Sequence, residues 1–365
     1  MHWRVPLSWL AVLCLARLQP SQAELGGAMC HKLGLRGECE VQQDCMCLCF
    51  HVTADNSTLV DAAYFGELGY ELILFTPLVH FYHSRGILRS TVGPAGSAPF
   101  YRFSPHHREV DVQRHYCLGP YSNPSPHMYR REWNFDAWIP PNLHEQYKGQ
   151  GQAILGDGKP LMIVHNKYNQ EWGAAPTNFI SISTLIALFS MLKDRYRIVY
   201  IRPDPRQNLP GFGADHNHAE DFDDHEHLRK HHPKVLLFQD ILQQQRNGTR
   251  PDLNYNELQL MLHADSERFV SVLGGNSVIA SYFAGVNIIY AVKGSELTGH
   301  GLKDREFDLV YPRLGPNGKG TILTVSTTQH LLQAAANEFL QQQGDTEAGR
   351  TVLEASHRTH KPHRS

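Results

Sequence analysis

Between residues 158 and 325, short apolar runs alternate with stretches of helical spacing, and this rhythm restricts the fold more than any other feature. Residues 161–164 form a short apolar run of the buried-strand kind. From Asn178 onward, Phe179, Ile182, Leu185, Ile186, Phe189 and Leu192 recur at helical intervals. Residues 196–201 and 235–238 read as strands, and 257–267 as a helix. Then 268–273 reads as a strand, 276–283 as a helix and 286–292 as a strand. Alternation of this kind predicts a parallel sheet with right-handed crossovers.

An earlier region begins in the same way. Residues 60–65 form a strand candidate, Gly66-Glu67-Leu68-Gly69 a tight turn, and 70–81 a helix apolar almost all round. Pro77 is expected to kink that helix. The fold class read from the sequence is therefore α/β, with two Rossmann-like lobes facing a cleft and a disulfide-rich N-terminal segment. The expected divisions are a signal peptide at 1–23, a cysteine-rich segment at 24–55, an N-terminal lobe at 56–150, a C-terminal lobe at 151–343 and a disordered basic tail at 344–365.

The first residues carry targeting anatomy. His2 and Arg4 precede an apolar run over 5–16, and Ser21 and Ala23 sit at the −3 and −1 places of a cleavage after Ala23. Arg17 ends the run before the ~20 residues that a membrane anchor needs. The mature chain is expected to carry no membrane span and to enter the secretory pathway, as an ER or Golgi lumenal protein or a secreted one. Cys30, Cys39, Cys45, Cys47, Cys49 and Cys117 are then disulfide candidates, five of them within twenty residues. Asn56-Ser57-Thr58 and Asn247-Gly248-Thr249 are glycosylation acceptors.

A formal net charge of −2 leaves no bulk basic field for nucleic acid. The chain has 23 histidines, six of them between 215 and 232 among Asp215, Glu220, Asp221, Asp223 and Asp224. Without the spacing of a metalloprotease helix, that segment reads as a hydrated loop with pH-sensitive charge, and no metal is assigned to it. A metal-dependent hydrolase using His225 or His227 is a minor competing reading.

Three turns follow strand candidates. Gly274-Gly275-Asn276-Ser277 lies between a strand and a helix, where two glycines admit a close ligand. There, either Asn276 caps the helix or Ser277 offers its hydroxyl to a phosphate. His165-Asn166-Lys167 ends the first strand of the second region, and Lys167 suits a phosphate as a point cation. Gly66 and Gly69 frame Glu67, which is preferred over Glu71 as a general base, because Glu71 falls on a first helical turn. A G-x-S-x-G elbow and a Walker loop are both absent.

These residues resemble glycosyltransferases of the two-Rossmann GT-B architecture, most of all the fucosyltransferase-related branch. The segment 269–294, FVSVLGGNSVIASYFAGVNIIYAVKG, is the most specific part of the likeness. The resemblance implies that Gly66 and Gly69 face an acceptor, and that Asn166, Lys167, Gly274, Gly275, Asn276 and Ser277 hold a donor diphosphate. It gives catalytic places to Glu67 and His165. Lys167 stands where that branch has an arginine, which removes a bidentate phosphate fork. The implied activity is metal-independent transfer of a sugar from a nucleotide-sugar to a glycan or glycoprotein, with the nucleotide-sugar as co-substrate and no cofactor. The alternative is a non-catalytic lumenal sugar-binding protein on the same fold.

Overall fold

The computed structural model describes residues 38–42, 46–112, 114, 135–156, 158–170, 175–203, 222–294 and 310–341. The expected signal peptide and basic tail lie outside the described residues, as do Cys30, Cys45, Cys117 and positions 204–221.

The first sheet runs in chain order: β1 (Glu38–Gln42), β2 (Met46–Val52), β3 (Thr58–Tyr64), β4 (Leu88–Pro94) and β5 (His107–Val110). β1–β2 and β2–β3 pair antiparallel, whereas β3–β4 and β4–β5 pair parallel. The sheet is therefore mixed, and two of its strands come from the segment read as a cysteine staple. β2 belongs here because its period-two pattern buries both faces. Met46 and Leu48 enter the main core, while Cys47 and Cys49 join Ala63, Phe65 and Val92 on the other side. Cys49 takes part in a disulfide.

Residues 68–84 are helical but not uniform. A single turn at Leu68–Tyr70 leads into a π-helix at Glu71–Phe75, and then into α1 (Thr76–Ser84). Pro77 falls in the first turn of α1, directly after the π-helical stretch, and the run stays helical across it. The carbonyls its missing N–H would have served find other donors. Trp138 Nε1 donates to Ile73 O at 2.7 Å, and Tyr282 Oη donates to Leu72 O at 2.6 Å.

Two short helices follow, α2 (Leu143–Tyr147) and α3 (Gln150–Leu155). The second sheet contains β6 (Leu161–His165), β7 (Arg197–Ile201), β8 (Leu236–Leu237), β9 (Ser266–Val272), β10 (Val286–Tyr290) and β11 (Thr321–Val325). Its spatial order is 11-10-9-6-7-8, and every pairing is parallel. That is the order of a doubly wound sheet: the chain starts in the middle, moves outward one way, then returns to move outward the other way.

Helices cover both faces, as an all-parallel sheet requires. α4 (Ile182–Leu192) starts after Ser181, whose hydroxyl accepts from the Thr184 N–H. α5 (Asp224–His231), α6 (Phe238–Asn247) and α7 (Tyr255–Ala264) follow, then α8 (Gly275–Ser281), α9 (Tyr311–Leu314) and α10 (Thr328–Leu340). Two expectations need correcting. The described part of the histidine-rich segment is helical from Asp224, not a loop. The strand expected at 235–238 shrinks to two residues, because Phe238 already opens α6.

Alternate residues of β6, β9 and β10 supply separate cores. Met162, Val164, Val270, Val272 and Ile288 pack with α4 and α10. Ile163, Phe269 and Ile289 join a second cluster that continues to Leu72, Phe75 and Tyr101 beside the first sheet. The sheets are thus bonded through one core. Asn256 Nδ2 donates to Gly96 O at 2.8 Å, Tyr147 Oη to Pro99 O at 2.7 Å, and Arg102 pairs with Glu257 at 2.8 Å.

Candidate functional site at the switch point

In a doubly wound sheet the chain reverses its direction of travel between the first strand and the fourth, and the loops there diverge and leave a crevice. Here those strands are β6 and β9. The loop after β6 carries Lys167, and the loop after β9 carries Gly274 and Gly275. The two loops meet: a Cβ added to Gly274 would lie 3.3 Å from Lys167 Nζ. Gly274 has φ of +129°, which disfavours any side chain there.

The turn after β3 approaches from the first sheet. A Cβ on Gly69 would lie 3.7 Å from the Gly275 backbone, and one on Gly275 would lie 3.5 Å from Gly69 N and Leu68 Cδ2. Gly66 is fixed from below, since a Cβ there would come within 2.5 Å of Tyr64 Oη. Glu67 is half-buried in this turn, at the N-cap position of the Leu68–Tyr70 turn, and its side chain does not cap it. The three turns singled out from the sequence therefore converge on one spot.

Not every residue of those turns faces it. His165 is fully buried, with Nε2 2.6 Å from Nε2 of His263. His263 Nδ1 lies 2.6 Å from Gln259 O, so it donates there and accepts from His165. Burial pushes His263 down to about 4, and burial followed by the charge of His263 holds His165 well below the usual imidazole range. With its ring fully buried and Nε2 engaged by His263, His165 packs in the core beneath the loop. Asn166 is also fully buried. It donates to Ile180 O at 2.9 Å and Tyr200 Oη at 3.0 Å, and accepts from Ile180 N at 2.8 Å. It clamps the loop rather than gripping a donor. Ser277 returns its hydroxyl to Gly274 O at 2.7 Å, and so braces the turn from within. Asn276 is half-buried beside the two glycines, and its side chain makes no hydrogen bond among the described residues.

Two buried ion pairs escaped sequence reading. Under the first-sheet turn, Glu71 accepts from Tyr101 Oη at 2.6 Å and pairs with Arg114 at 2.5 Å. Arg114 also donates to Gly66 O at 3.0 Å, and so pins the turn that faces Gly275. Burial, and then the Glu71 charge, push the Tyr101 hydroxyl well above its ordinary range. Glu71 is thus a fastening, consistent with setting it aside as a base. Beside the carboxyl ends of β6 and β7, Arg202 makes a bidentate pair with Asp224 at 2.6 and 2.7 Å. Tyr200 donates to the same carboxylate and Gln239 to Arg202 O. No local spacing announces either pair, because the partners come from distant parts of the chain.

Both acceptor asparagines, Asn56 and Asn247, are exposed. Among the described residues no group of three His, Cys, Asp or Glu side chains could hold a metal ion, and no helix is long and apolar enough to cross a membrane.

No protein-family model and no curated protein matches the chain. Among solved structures, that of the wall teichoic acid polymerase TagF is similar over 76% of this chain and 74% of that one, at 11% identity and a TM-score of 0.26. So loose a likeness carries neither fold nor function, and both rest here on the chain's own geometry.

Proposed function

We propose that this protein is a glycosyltransferase that moves a sugar from a nucleotide-sugar to a glycan or glycoprotein acceptor in the secretory pathway. One observation carries the reading: Lys167 lies against Gly274 at the switch point of a doubly wound sheet, and Gly69 of the other sheet closes on Gly275. Switch points of such sheets bind nucleotides. Lys167 supplies the positive charge a diphosphate needs, and the paired glycines clear room for it. Asn276 adds a side-chain amide at the same spot.

In this reaction the bond from the anomeric carbon to the diphosphate oxygen breaks, and a bond to an acceptor hydroxyl oxygen forms. The electron pair leaves with the nucleoside diphosphate, whose charge Lys167 offsets, and Glu67 takes the hydroxyl proton. His165, Asn166 and Ser277 hold the loops in place. No metal is assigned a role.

The test is a thermal-shift screen of the mature protein against GDP, UDP, ADP and CMP, with and without EDTA. Nucleotide that binds only the folded state adds about 2.7 kcal/mol at a hundredfold excess over Kd. The expected result is stabilisation by one nucleotide class, insensitive to EDTA and weakened by Lys167→Gln. Absence of a shift with every nucleotide would sink the proposal. Binding without turnover of the matching nucleotide-sugar would move the protein to the non-catalytic reading.

A further inference from the structure

The second sheet has another end. Parallel strands align their starts, so the loops entering β6, β7 and β8 gather together, away from the switch point. An open concavity of about 210 Å³ lies there, lined by Lys159, Lys193, Tyr196, Arg197 and Lys234 among others, and by no carboxylate among the described residues. Each strand entry brings a cation: Lys159 before β6, Lys193 and Arg197 at β7, and Lys234 before β8.

Several arginines elsewhere are neutralised within the chain. Arg89, Arg102, Arg202, Arg229 and Arg250 each face a carboxylate. Among the described residues, none of Lys159, Lys193, Arg197 and Lys234 forms an ion pair. Lys159 Nζ donates to Lys193 O and Arg197 Nη1 to Gly156 O, both at 3.1 Å, so two of the four are held in place by backbone carbonyls. A helix C-terminus attracts a nearby cation, which accounts for Lys193 at the end of α4. It leaves the convergence of Arg197 and Lys234 unexplained. Like charges that share a concavity repel one another, and an anion removes that repulsion. His232 reports the same field, since Lys193 and His231 add to burial in holding it below the usual imidazole range.

We propose that this concavity binds a ligand carrying two or more closely spaced phosphate or sulfate groups. Arg197 presents a planar fork suited to a tetrahedral oxyanion, and the three lysines act as point charges around it. This site is separate from the switch point and does not rest on the transferase reading.

The experiment is calorimetric titration of the mature protein with inorganic pyrophosphate and, separately, with sucrose octasulfate. Both are repeated on Lys193→Gln/Lys234→Gln, whose replaced amines make no hydrogen bond among the described residues. Lys167→Gln reports any binding at the switch point, and Arg229→Gln controls for loss of a charge elsewhere. The expected result is a binding event that weakens at least tenfold in the double variant and at raised salt and is unchanged in Arg229→Gln, whereas any event lost in Lys167→Gln belongs to the switch point. Preference for pyrophosphate assigns the site to phosphate esters, and preference for the octasulfate to sulfate esters. Equal affinity in wild type and double variant, or no binding of either probe, would overturn the proposal. Circular dichroism separates loss of the site from loss of the fold. If the double variant unfolds, Arg197→Lys keeps the charge but removes the fork, and an unchanged affinity there also counts against the proposal.

Discussion

The two sheets reach the same point by different means. The second has every strand parallel, with β6, β7, β9 and β10 largely buried, and its crevice follows from strand order. The first is mixed, with an antiparallel hairpin on one edge, and a buried arginine holds the turn that brings Gly69 to Gly275. In one case topology makes the site. In the other a specific side chain does. Nucleotide binding should therefore survive substitution in the second sheet's half away from its loops, and should not survive loss of the arginine in the first.

The sharpest test breaks one buried ion pair on each side. Asp224→Ala leaves Arg202 buried without its carboxylate and is expected to cost about 3–5 kcal/mol by urea denaturation. Arg114→Ala should cost as much, because Glu71 is buried as completely. Nucleotide binding should distinguish them. At a temperature where both variants stay folded, loss with Arg114→Ala but not with Asp224→Ala would confirm the contrast, and the reverse pattern would break it.

Acid tests both sheets at once. His263 in the second half and His107 in the first are each held down to about 4 by burial. Both are neutral in the folded chain between about 6.5 and 4, while the unfolded chain takes up protons, so stability falls as pH falls through that window. Each contributes about 1.4 kcal/mol per pH unit there, and nothing above 6.5. The joint change of His165 and His263 to leucine should flatten the melting-temperature profile between pH 6 and about 4.5, without levelling it, since His107 remains.

Glycine replacements give smaller effects. Gly274→Ala forces a side chain into a disfavoured backbone region and towards Lys167, at a cost of about 1–3 kcal/mol. Gly69→Ala meets only ordinary contacts and should change stability by less than ~1 kcal/mol. Lys167→Gln should weaken nucleotide binding about tenfold, the worth of one charge-assisted hydrogen bond.

How much of this could be read from the sequence follows the same division. β6, β7, β9 and β10 are continuous apolar runs separated by helical spacing, and the structure has them at the expected places. β2 was hidden because its alternate positions are cysteines, which read as a staple and not as the buried face of a strand, although Cys47 and Cys49 pack against Ala63, Phe65 and Val92. The π-helix was hidden because its residues after Glu71 are all apolar, so that no polar face marks its phase. The three turns were legible as glycine and polar punctuation after strands. Which of their side chains point inward was not, since His165 and Asn166 differ from Lys167 only in the direction the chain takes on leaving β6. The pinning arginine could not be found from spacing at all, because a long-range ion pair leaves no periodic trace.

The hydrogen bond from Tyr282 to Leu72 spans 210 positions of the chain and lies within the core common to both sheets. Two-lobed proteins commonly admit ligand by swinging one half away from the other. Here such a swing would expose apolar side chains and strand the Leu72 carbonyl without the donor that proline denies it. On the proposed transferase reading, entry and exit then fall to loop movement, and product escape sets the pace wherever those loops are slow.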